Sequence, residues 1–151
     1  MAYASYDTLN CLAMTQIDPF LLWLGHAGDC RDAAGVLDAA IEVMVELAIE
    51  EPPARFPREI ICVRVPLYDG SGNSCDTLRF AIKTVEHFLA ANVRTLVCCS
   101  GGMSRSPAIA ALALARTIGQ TPAEALELIR RRHGVDVSPR LWQDLLACDS
   151  H

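Results

Sequence analysis

From Pro107 to Ile118 the chain reads Pro-Ala-Ile-Ala-Ala-Leu-Ala-Leu-Ala-Arg-Thr-Ile, a helix-forming run that is apolar nearly all the way round. A helix with no polar face cannot lie on a surface, so other elements have to cover it. The flanking sequence supplies them, because strand-like and helix-like patterns alternate along the chain. Phe20–Leu24, Ile60–Val65 and Val93–Val97 are short apolar runs of strand length. Ile41–Ile49 alternates with a period of two and its β-branched residues favour strand, although Glu42, Glu46 and Glu50 also fit one helical face. Between Cys75 and Ala91 the residues Leu78, Ala81, Ile82, Val85, Phe88 and Leu89 recur at helical spacing.

Local signals mark the remaining elements. Asp32 to Ala40 reads as a short helix weakened by Gly35, and Pro52, Pro53 and Pro57 mark a loop. Thr121-Pro-Ala-Glu124 is a capping box with proline at the first helical position, so Thr121 predicts a helix start. That helix ends in Arg130-Arg131-Arg132 near Gly134, and Ser138-Pro139 opens a last helix. Alternating strands and helices predict an α/β fold: a central, mostly parallel, twisted sheet of about five strands flanked by helices.

The 151 residues fit one domain, 1–151, and a 52% hydrophobic composition can fill its core. The net charge is −5 and no like-charge block exceeds Arg130–Arg132, so nucleic acid is not an expected partner. Phe20–Leu24 is too short to span a bilayer, and no signal peptide is expected. The seven cysteines are odd in number and contain no C-x-x-C pair. Neither a disulfide framework nor a zinc site is expected from them, and a reducing cytoplasm is the simpler home.

The chemistry concentrates at 97-VCCSGGMSRSP-107. Cys99 ends a predicted strand and the following loop opens the all-apolar helix, the position where parallel α/β sheets bind ligands. Gly101 and Gly102 let successive backbone N–H groups converge, and a helix N-terminus behind them makes an anion cradle. Arg105 adds a planar, permanent charge that suits two phosphate oxygens. The same positive field suits a thiolate at Cys99, and a thiolate facing phosphate is a nucleophile aimed at phosphorus. Ser100, Gly101, Gly102, Met103 and Ser104 are enough chain to wrap a tetrahedral oxyanion and let Arg105 reach back over it. Ser106 places a hydroxyl where it can hydrogen-bond the Cys99 sulfur. A nucleotide-binding phosphate loop would need Gly-Lys-Ser/Thr, and there is no lysine here.

C-x5-R followed by serine, after a strand, resembles the signature of the cysteine-dependent protein tyrosine phosphatases. The form 99-CSGGMSRS-106 is nearest to their dual-specificity subgroup, and the chain's size resembles the small atypical members. The resemblance runs over roughly Ile17 to Leu146. It implies a protein tyrosine phosphatase-like fold and hydrolysis of phosphotyrosine, and of phosphoserine or phosphothreonine, through a phosphocysteine. It calls for no metal or other cofactor. It implies Cys99 as nucleophile, Arg105 and the loop amides as phosphate holders, and Ser106 as an aid to thiolate departure. It also implies an aspartate about thirty residues earlier on a mobile loop. Asp69 in 65-VPLYDGSGNS-74 fits, and Asp76 is its rival, with a competing reading as helix N-terminal charge. The five uncharged loop residues favour a phosphoprotein or phosphopeptide over a phosphoinositide.

Two positions depart from the family pattern. A histidine normally precedes the nucleophile and organises the hydrogen bonds that hold it; here the residue is Cys98. Alternation along a strand turns Cys98 away from Cys99, into the core. Arg140 stands where the family often has asparagine. The missing histidine keeps two other readings open, a phosphopeptide-binding pseudophosphatase and a thiol redox sensor with Cys62 as resolving thiol. His26, His87, His133 and His151 have no metal spacing and read as surface or packing residues, and Trp23 and Trp142 as core.

Overall fold

The computed structural model describes residues 14–56 and 58–150. Five strands, β1 Thr15–Gln16, β2 Leu22–Gly25, β3 Val43–Ala48, β4 Ile61–Leu67 and β5 Thr95–Cys98, form one sheet. Six helices accompany them among the described residues: α1 Ala27–Arg31, α2 Ala33–Asp38, α3 Cys75–Ala90, α4 Arg105–Ile118, α5 Pro122–Arg130 and α6 Pro139–Asp149. The spatial order is β1-β2-β5-β3-β4. Only β1 runs antiparallel, so the expected mostly parallel sheet flanked by helices is the observed one.

The register lines up the functional edge. Gly25 pairs with Cys98, and Cys98 pairs with Glu46, so β2, β5 and β3 end side by side. The alternation in Ile41–Ile49 resolves as strand. Every residue of β3 is buried, because β3 has a strand on each side and helices over both faces. One face carries Leu24, Val45 and Val97 beneath α3–α6. The other carries Trp23, Met44, Leu96 and Cys98, covered by Cys30 of α1 and Val36 of α2.

Helix α4 occupies the centre of the first layer. Pro107 to Ala115 are all buried, as its missing polar face requires, and the exposed Arg116 joins Glu86 and Asp149 at its far end. Thr121 caps α5 by accepting from the Glu124 N–H at 3.2 Å, a contact worth about 1 kcal/mol. Trp23 lies in the second core with the Arg94 guanidinium 4.6 Å from its ring centroid, and Trp142 packs at the margin of the first.

Two short elements escape the sequence pattern. β1 is only two residues long, and α1 is a five-residue helix started by His26, whose Nδ1 accepts from the Gly28 and Asp29 N–H groups.

The cysteine expectation is corrected at one pair. Cys75 opens α3, Cys148 lies near the end of α6, and the two form a disulfide with Cα atoms 5.4 Å apart. Packing of α3 against α6 brings together residues 73 positions apart, which no local spacing can reveal. The inference from unpaired cysteines to a reducing compartment loses its premise there. Cys30, Cys62, Cys98 and Cys99 are free thiols, and Cys11 and His151 lie outside the described residues. Among the described residues no helix is long and apolar enough to cross a membrane.

Candidate active site

The site forms where β2, β5, β3 and β4 reach their C-terminal ends. Cys99 follows β5 and its side chain is buried, 3% exposed, on the α4 side of the sheet. Its Sγ lies 3.3 Å from Ser106 Oγ in the first turn of α4. The loop between them is held from outside. The Cys99 N–H donates to Gly25 O at 3.4 Å, and Ser100 O accepts from the Ala27 N–H at 3.1 Å. Gly102 takes a left-handed φ of 75°, and a Cβ there would lie 2.9 Å from the backbone of Gly25 and His26. Only glycine meets both demands.

Arg105 is 3% exposed and turned inward. Its Nη1 donates to Glu50 Oε2 at 2.7 Å and to Leu67 O at 2.9 Å, while Nη2 donates to Glu50 Oε1. Its Nε is buried and has no partner. Burial works against the guanidinium charge; the hydrogen bonds to Glu50, with the charges of Glu50, Cys99 and Asp69, more than offset it and raise the pKa. The same contact with Arg105 holds the Glu50 carboxyl below the ordinary glutamate range.

Asp69 stands exposed just beyond β4, and its Oδ1 accepts from Ser104 Oγ at 2.6 Å. Ser104 Oγ in turn accepts from the Ser138 N–H at 2.9 Å, so one hydroxyl joins the Asp69 loop, the cysteine loop and the start of α6. The Asp69 loop has its own brace. Asn73 Oδ1 accepts from the Tyr68 N–H at 2.8 Å and its Nδ2 donates to Tyr68 O at 2.9 Å. The glycines of this loop, Gly70 and Gly72, both have positive φ.

The structure thus sets Cys99 against Ser106, Asp69 against the Ser100–Ser104 loop at Ser104, and Arg105 inward at the end of that loop. It leaves Asp76 out. That carboxylate is 99% exposed at the start of α3, 3.7 Å from Arg79. Cys62 is also out of reach. It lies on β4, separated from β5 by β3, and shares the Met44 face of the sheet, opposite Cys99. The notion of Cys62 as a resolving thiol fails on that geometry. Cys98 sits buried on the Met44 face beside Cys30, and burial pushes its thiol pKa well up. Arg140 is exposed and pairs with Asp144 at 3.3 Å. Arg130 pairs with Glu127 in the last turn of α5.

Sequence reasoning missed the carboxylates that brace the loop. Glu50 grips Arg105; Glu51 Oε1 accepts from Ser100 Oγ at 2.8 Å while its Oε2 pairs with Arg31 at 2.7 Å. Two adjacent acids directly after a buried strand, at the end where parallel sheets bind ligands, were the available signal. Asn73 and His133, whose Nε2 lies 2.6 Å from Gly102 O, carried none.

No family model and no curated protein matches the sequence. Solved structures do. Human DUSP28 superposes with a TM-score of 0.79 at 22% identity, covering 90% of this chain and 95% of its own. A putative mouse dual specificity phosphatase, solved with zinc tungstate, gives 0.81 at 20% identity over 99% and 91%. The human tyrosine phosphatase-like serine/threonine/tyrosine-interacting protein gives 0.78 at 17% over 92% and 97%. The chain therefore has the fold of the cysteine-dependent protein tyrosine phosphatases and, within it, resembles the small atypical dual-specificity members.

Proposed function

We propose that the protein is a single-domain phosphatase that hydrolyses phosphotyrosine, and by the same chemistry phosphoserine and phosphothreonine, in proteins or peptides. The observation that carries the reading is the buried, partnerless Nε–H of Arg105. Leaving such a donor unmet costs about 1–3 kcal/mol, and for a cationic group more. A phosphate oxygen would satisfy it, on a guanidinium whose other nitrogens Glu50 and Leu67 already fix.

In the first step the Cys99 sulfur attacks phosphorus in line and an S–P bond forms as the P–O ester bond breaks. Asp69, in its acid form, gives its proton to the departing oxygen. Arg105 and the loop N–H groups from Ser100 to Arg105 take up the charge on the equatorial oxygens, the largest single contribution expected here. In the second step water attacks phosphorus, Asp69 takes the water's proton, and the S–P bond breaks. The Ser106 hydroxyl, 3.3 Å from the sulfur, stabilises the departing thiolate. No step calls on a metal ion or cofactor.

The surroundings favour a protein substrate. The five loop residues are uncharged, and the carboxylates that reach the loop and Arg105 are those of Glu50, Glu51 and Asp69, the first two already paired with Arg105 and Arg31. The loop side chains thus add no cation that would hold the extra phosphates of a polyanionic lipid headgroup.

Hydrolysis of a small aryl phosphate by the wild type and by Cys99→Ser tests the reading. Turnover that vanadate inhibits and Cys99→Ser abolishes is expected. Undiminished activity in Cys99→Ser overturns it. Phosphopeptide binding without turnover in the wild type would instead mark a pseudophosphatase.

A further inference from the structure

An anion cradle needs its N–H groups pointing inward, and something has to enforce that. In a planar trans peptide the N–H of one residue points opposite to the carbonyl of the residue before it. Each inward N–H therefore implies an outward carbonyl, which must find a donor outside the loop. Three outward carbonyls are tied in this structure. Ser100 O takes the Ala27 N–H at 3.1 Å and Met103 O takes the Asp136 N–H at 2.8 Å. Gly102 O meets His133 Nε2 at 2.6 Å, and this is the one tie of the three made by a side chain.

The peptide between Gly102 and Met103 has glycine on one side and so turns more freely than one between two larger residues. Gly102 has a left-handed φ of 75°, a region where glycine meets no steric barrier, so sterics alone do not hold the orientation. Cys98 cannot supply the hold. It is 2% exposed in the core on the opposite face of the sheet, beside Cys30. We propose that His133 is a positioning residue of the phosphate loop: its Nε2–H donates to Gly102 O and keeps the Met103 N–H facing the anion. A carbonyl oxygen only accepts, so the contact places the proton on Nε2. The segment around His133 fits this task. Asp136 holds the next carbonyl, and the Met103 methyl lies near Gly134, where an added Cβ would sit 3.4 Å from it. The inference rests on the phosphatase reading for its consequence, but not for the orientation of the loop itself.

Glutamine can place an amide N–H where Nε2 stands, and alanine cannot. Wild type, His133→Ala and His133→Gln are compared for hydrogen exchange of the Ala27, Cys99 and Asp136 amides, whose hydrogen bonds tie the loop, for inhibition by vanadate, and for kcat and KM on an aryl phosphate. His133→Ala should exchange those amides about tenfold faster and bind vanadate about tenfold more weakly, the equilibrium worth of one such hydrogen bond. His133→Gln should recover most of both. The proposal is overturned by wild-type exchange in His133→Ala, or by His133→Gln behaving as His133→Ala does. If the wild type neither turns over nor binds vanadate, the phosphatase reading fails, and the exchange measurement still decides the role of His133.

Discussion

The Arg105 guanidinium rests on the Glu50 carboxylate through both terminal nitrogens, across 55 residues of sequence. The pair is lopsided: the Arg105 side chain is 4% exposed and that of Glu50 49%. Solvent screens such a carboxylate, so its value lies in aiming the arginine more than in raw stability. Glu50→Gln should weaken vanadate inhibition about tenfold, as a charge-assisted contact becomes a neutral one. The pH dependence has a definite sign. The folded-state pKa of Glu50 is depressed, so its contribution is complete above the ordinary glutamate range and is lost as pH falls through the depressed value. Wild-type vanadate affinity should therefore carry an acid-side decline, below the usual carboxylate range, that Glu50→Gln lacks. Identical profiles for the two proteins would refute this.

Much of the frame was legible in the sequence because it is written in local terms. The period of two in Ile41–Ile49, the capping box at Thr121 and the apolar run after Pro107 each act within a few residues, and each became the expected element. The segment from Cys99 to Ser106 was legible for the same reason, since five intervening residues confine where Arg105 can go. The supports of that loop were not. Glu50, His133 and the Ser138 N–H reach it from positions 31 to 55 residues away, through contacts that only the sheet order and the packing of α6 create. Cys75 and Cys148 were hidden in the same way, 73 residues apart on two helices that happen to lie together.

Asp69 hydrogen-bonds Ser104 within the cysteine loop, and the proposed mechanism has its carboxyl protonate the leaving group. Protonating that group matters in proportion to its basicity. Asp69→Asn should lower kcat by about 10²–10⁴-fold for a phosphotyrosine peptide. For an aryl phosphate with a strongly electron-withdrawing ring the loss should be far smaller. Steady-state kinetics on both substrates read this out; equal losses on the two would remove Asp69 from the acid role.

Gly101 and Gly102 are adjacent in sequence but not equivalent. A Cβ on Gly102 would strike the backbone of Gly25 and His26 at 2.9 Å in a left-handed conformation, whereas one on Gly101 meets nothing within 4 Å. Backbone atoms of a paired strand end cannot swing aside as a flexible side chain can. Gly102→Ala should cost about 1–2 kcal/mol from its φ alone and abolish vanadate binding. Gly101→Ala should melt and bind close to wild type. Thermal melts with and without vanadate compare the pair, and a tolerant Gly102→Ala would show that the loop is not held against Gly25.

The Cys75–Cys148 bond closes a loop of 73 residues that contains β5, the cysteine loop and α4. Tying those ends removes entropy from the unfolded chain, by about 4 kcal/mol for a loop of this length. For a domain of this size that corresponds to a shift in melting temperature on the order of 10 °C. Reductant should lower the wild-type melting temperature by that amount, while Cys148→Ser, already lacking the bond, should melt low and ignore reductant. The bond also joins the helix after the Asp69 loop to the far end of α6, whose first residues reach Ser104. Yet Cys99, Arg105 and Asp69 are held by hydrogen bonds that do not pass through either sulfur. Below its own melting point the reduced protein should therefore keep a kcat within a few-fold of the oxidised one. A melting temperature that reductant leaves unmoved would mean that the two sulfurs are not joined in solution.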